Sequence, residues 1–256
     1  MFNPARAGSR LLLRPLFTVL ALFTMLWSSY GMAEQSIQNA VDARIRALDV
    51  VSDMLLFYNP AFENHDPVIR QRFLDNMQQL HQWAAGSSHS ELVSQLNEID
   101  KHLQTLAQQP KDAFSLLPRW VNEVVKSHAS LDVVLEQLTP QAIPQLPLQN
   151  QLALYLSMQN LAYQTVTFSS INLLILGGRI DILVYLDEQI QANLDQLKQQ
   201  QLDPQVLQRL LTRYQIIRPR LIGEQREWVP NLVAFYYGSM LELLDQLTLS
   251  RVAGEG

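Results

Sequence analysis

The chain has 256 residues, 19 basic and 24 acidic, for a net charge of −5, and it contains no cysteine. The missing thiols exclude disulfide staples, thiolate metal sites and a cysteine nucleophile, and an acidic chain lacks the basic footprint that nucleic acid requires. With 45 leucines and 28 glutamines against 9 glycines, helix-favouring residues dominate and few segments alternate with period two, so the class reads as all-α.

Residues 1–33 read as a secretory signal peptide. Arg6, Arg10 and Arg14 form a positive n-region without an acid, and Leu16 to Trp27 follow as a short apolar core. Gly31 and Ala33 then put small residues where a signal peptidase reads. The core is shorter than the roughly 20 apolar residues of a spanning helix. The mature protein is therefore expected to begin near Glu34 and to be periplasmic or secreted, with the membrane involved only if the leader is retained as an anchor. Losing the three leader arginines leaves 16 basic residues against 24 acids, a net of −8.

The first expected helix carries Ile37, Val41, Ile45, Leu48, Val51 and Leu55 on one face, with Ser36 as N-cap and Asn59-Pro60 as the stop. Asp66-Pro67 starts a second helix with Ile69, Phe73, Met77, Leu80 and Trp83 inward, ended by Gly86. A third begins near Ser88 to Ser90. Its Leu92, Leu96, Ile99, Leu103 and Leu106 have the heptad spacing of a narrow seam. The fourth runs from about Asp112 to Leu138 with Leu117, Val121, Val124, His128, Leu131 and Leu135, and Pro118 either lies in its first turn or marks a later start.

Thr139 to Pro147, with three prolines and no charge, is the candidate linker. It separates an N-terminal bundle, 34–138, from a C-terminal bundle, 148–256. A fifth helix, about Leu148 to Leu176, is apolar almost all round in its second half, as a helix buried between neighbours would be. Gly177-Gly178 offers a turn before a sixth helix, Arg179 to about Gln201, although the apolar phase would also run on through one long helix. Asp203-Pro204 starts a seventh helix with Val206, Leu210, Tyr214 and Ile217 on one side, which Arg218-Pro219 kinks or ends. Pro230 opens the last, carrying Val233, Tyr237, Met240, Leu244 and Leu247. The architecture expected is thus an antiparallel bundle of about eight helices, readable as two four-helix subdomains.

Arg209, Arg213, Arg218, Arg220 and Arg226, with Tyr214 and Trp228 nearby, form the one basic constellation. Guanidiniums could grip a carboxylate or phosphate. The competing reading pairs them with Asp187, Glu188 and Asp195 of the preceding helix. The five histidines lack the His-x-x-x-His or Glu-x-x-His spacings that aim two metal ligands from one helix face. Glu98 and His102 read as a surface pair, and His128 as a core residue with its hydrogen bonds satisfied. Phe235, Tyr236 and Tyr237 with Trp228 line either a pocket or partner surface, or the core. No nucleophile elbow, zincin helix or phosphate loop occurs, so no catalytic, metal or cofactor residues are assigned. The expected function is an exported, non-enzymatic helical protein that binds an unknown protein partner or envelope component. The alternatives are a bundle sensing a small anion through the arginines, and a helical enzyme with an unfamiliar site.

Overall fold

Each apolar stripe needs another to cover it, and the chain meets that need with eight α-helices among the described residues of a computed structural model. Described are residues 38–62, 65–87, 89–109, 117–139, 143–168, 181–200, 202–223 and 227–254, with side chains up to 247. The helices are α1 (38–57), α2 (Pro67–Ala85), α3 (Ser90–Ala107), α4 (Leu117–Leu138), α5 (Leu148–Thr167), α6 (Ile182–Leu197), α7 (Pro204–Ile222) and α8 (Pro230–Gly254). The expected leader, the Gly177-Gly178 junction and Ser36 lie outside the described residues, as does the stretch 112–116 expected to open the fourth helix. Val41–Gly256 forms one compact unit; of the residues before it, only 38–40, the opening of α1, are described.

Within Val41–Gly256 the helices gather into two clusters, α1–α4 and α5–α8. In the second, α5 packs on α6, α6 on α7, α7 on α8 and α8 back on α5, which closes a ring of four. In the first, α2 packs on α3 and α3 on α4, and ion pairs tie α1 to α2 and to α4. Between the clusters, 143–145 make a single 3₁₀ turn.

Local chemistry sets the ends. Asp66 and Asp203 each precede a proline and accept backbone N–H bonds, from Val68 at 2.8 Å and from Gln205 at 2.8 Å, as an N-cap should. The Gly86 N–H returns to the Trp83 carbonyl at 3.1 Å and closes α2. After α1, the Asn59 side chain accepts from the Ala61 N–H at 3.0 Å, a turn that Pro60 favours. Pro118 is the second residue of α4, where its missing N–H costs nothing.

Pro219 does not end α7, which runs on to Ile222. A proline so near the C-terminus removes one backbone bond, while Leu210, Tyr214, Ile217 and Leu221 keep one buried face through it. The Gly223 N–H then bonds to the Pro219 carbonyl at 3.0 Å. A Cβ at Gly223 would stand 2.3 Å from that oxygen, so only glycine fits here.

All five heptad residues of α3 are buried. Leu96 is wholly buried, so Leu96→Ala is expected to cost about 2–5 kcal/mol in urea unfolding; a loss below about 1 kcal/mol would mean that the seam is not packed as described.

Two helices are buried on every side. In α5, 16 of 20 residues are buried, polar ones included, so it is the most enclosed helix of its ring. In α1 the expected single face is only part of the buried surface, because Ala43, Ala47, Val50, Met54 and Leu56 are buried as well. The reason is position. Arg44 bonds to Asp132 of α4 and Asp53 to Arg72 of α2, while Ile45 packs against the core of the second cluster.

Candidate functional site

The expected arginine constellation does not converge on one point. Arg218 forks onto Asp187 of α6, with Nε to Oδ1 at 2.8 Å and Nη2 to Oδ2 at 2.9 Å. Arg220 pairs with Glu227 at 2.7 Å on the surface, and Arg213 donates to the Ser239 carbonyl at 2.7 Å. Arg209 is exposed on α7, and Arg226 lies outside the described residues. Of the acids expected to pair with this group, Asp187 does so, whereas Asp195 pairs with Lys198.

Tyr214, from the same constellation, belongs to a buried network. Its hydroxyl donates to Asp187 Oδ1 at 2.9 Å and lies 3.1 Å from Gln159 Oε1, which also accepts from Tyr237 at 2.5 Å. The Gln159 amide in turn donates to the Leu183 carbonyl at 3.1 Å. Burial, reinforced by the Asp187 charge, pushes the Tyr214 hydroxyl far above its ordinary range, so it stays a neutral donor. The network joins α5, α6, α7 and α8. It holds the ring together.

The aromatic group divides. Tyr237 is buried, Tyr236 half-buried and Phe235 67% exposed. Trp228 leans on Tyr163 with ring centroids 5.6 Å apart, and the Tyr163 hydroxyl accepts from the Val229 N–H.

Among the histidines, His102 meets Glu98 at 3.6 Å as expected, and His81 meets Asp100 of α3 at 2.5 Å. His128 lies in the core, but its Nε2 has no hydrogen-bond partner, which corrects the expectation of a satisfied ring. Burial holds its pKa below the ordinary value, which favours the neutral ring with one N–H fewer to satisfy. No group of three or more His, Asp or Glu side chains suited to a metal ion occurs among the described residues.

Two features had not been read from the sequence. The first is an acid pair on α1. Asp49 and Asp53 lie one turn apart and share a helix face; Arg72 bonds to Asp53 with both arms of its fork. Burial and the neighbouring Asp53 charge raise the Asp49 pKa to about 7, against the smaller opposing pulls of Arg72 and Arg46. The second is a cavity of about 320 Å³ at the C-terminal end of α1. Phe57, Leu106, Ala107 and Leu117 form its apolar wall, and Tyr58, His65, Arg70 and Gln109 bring polar groups. Burial raises the Tyr58 hydroxyl above its usual pKa while Arg70 draws it down, which places the cation in the electrostatic reach of that phenol.

No family model, no curated protein and no solved structure matches this chain. Its own geometry defines its class: an all-α bundle of two four-helix clusters, with a side cavity in the first and an internal polar network in the second. Among the described residues no helix is long and apolar enough to cross a membrane.

Proposed function

We propose that this chain is an exported, non-enzymatic helical protein that acts at the cell envelope by presenting one helix face to a protein partner. The observation that carries this reading is the start of α8. Leu232 and Phe235 lie three apart on α8 and are 42 and 67% exposed, and Trp228, two residues before the helix, is 37% exposed. Exposed rings at such a spacing are what partner surfaces are enriched in. The leader supports the compartment, since its charge, core and small residues have the order that an exported chain needs.

Two measurements test this. Fractionation should recover the protein outside the cytoplasm with a mass beginning near Glu34; a full-length cytosolic form would refute export. A photo-crosslinking residue at Phe235 should give a discrete adduct in cells that Leu232→Asp abolishes, whereas one at exposed Gln208 should give none. Identical patterns at the two positions would refute the partner face.

A further inference from the structure

We propose that the cavity at the end of α1 binds a small carboxylic acid with a compact apolar body. Its volume of about 320 Å³ lies at the lower end of the range for ligand sites, which suits an acid of one ring or a short chain. The body would rest against a wall that is already fixed. Phe57 is held edge-on by Tyr58 at 4.8 Å, His65 at 5.4 Å and Phe73 at 6.1 Å, so its ring is placed before a ligand arrives.

The sign of the ligand follows from the lining. Among the described residues, one permanent cation, Arg70, and no carboxylate line the cavity. Arg44, Arg72, Arg218 and Arg220 each hold an acid, whereas no carboxylate among the described residues pairs with Arg70. Arg70 is exposed while the apolar wall is formed largely by buried Phe57, Leu106 and Leu117. An acid would therefore seat its body inward and its head at the guanidinium, with the protonated Tyr58 hydroxyl as a second donor. The inference is independent of the α8 face.

The test is a thermal-shift and calorimetric titration of the purified protein with benzoate, 3-phenylpropionate and octanoate. Benzamide serves as the uncharged isostere and acetate as the head alone. At least one of the three acids should bind saturably and raise the melting temperature, while benzamide and acetate should do neither. Arg70→Gln should weaken that binding about tenfold or more, the effect of losing a charged hydrogen-bond partner. Ala107→Trp, which fills the cavity from its exposed rim, should abolish it, and Arg209→Gln on α7 should leave it unchanged. The proposal is overturned if none of the three acids saturates, if benzamide binds as well as benzoate, or if Arg70→Gln and Ala107→Trp both bind like the wild type.

Discussion

Replacing Asp132 with alanine is expected to destabilise the protein by about 3–5 kcal/mol in urea unfolding at neutral pH, among the largest effects of any single polar substitution. Its partner Arg44 has a side chain only 5% exposed, and both arms of the fork reach Asp132, at 2.7 and 3.0 Å. Burial works against the Arg44 charge more than any single favourable contact, yet the bond to Asp132, its charge and that of Glu136 together hold the guanidinium pKa above its usual value. Removing the carboxylate strands a cation in the interior of α1, which is the costly half of breaking a buried pair. The double variant Arg44→Met with Asp132→Leu removes both charges and should recover most of the loss. If Asp132→Ala costs less than about 1 kcal/mol, the pair is behaving as an exposed one and α1 is not the buried helix described.

Stability is expected to fall as pH rises from about 4 to 7, and Asp49→Asn should remove much of that fall. The Asp49 pKa is raised from 3.8 to about 7 by burial and by Asp53. Between those values the folded state binds a proton that the unfolded chain has released, so raising the pH favours unfolding. Below pH 4 both states are protonated and the group contributes no slope; above pH 7 both are ionised and the loss is complete. At about 1.4 kcal/mol per unit the loss amounts to a few kcal/mol. Burial also raises the Asp53 pKa, and Arg72 only partly opposes it, so its sign is the same. Asp49→Asn should match the wild type near pH 4 and exceed it at pH 8, with the gain trimmed by the lost attraction to Arg72 and Arg46. The useful measurement is the difference in urea midpoint between the two proteins at pH 5 and pH 8. A constant difference would show that Asp49 ionises freely.

Helical periodicity made most of the fold legible, because stripes such as Leu92, Leu96, Ile99, Leu103 and Leu106 have no other way to be covered. The Asp-Pro pairs at 66–67 and 203–204 were equally plain, since each combines a cap with a residue fit for the first turn. Periodicity fails where polar side chains are buried. Gln159, Gln164 and Asp187 look like surface residues along the chain, and it is neighbours from distant helices that supply most of their partners. The arginines of α7 illustrate the opposite error. They are close in sequence, but a helix turns about 100° per residue, so Arg213, Arg218 and Arg220 diverge to three different partners.

The acid pair on α1 had a signal that one-face counting hides. Ala47 to Phe57 is apolar on almost every side, and acids inside such a run must find cations or shift their pKa. The cavity had none. It is assembled from the ends of α1 and α3 and the starts of α2 and α4, so no local pattern encodes it. Glycine at 223 was likewise invisible until the close approach of the Pro219 carbonyl was seen.

Hydrogen exchange measured by mass spectrometry tests most directly whether α1 is an interior helix shared by both clusters. Amides of 41–57 should exchange as slowly as those of Leu152 to Thr165 in α5, and both should open together when the protein unfolds. Rapid exchange along α1 while α5 stays protected would contradict the account.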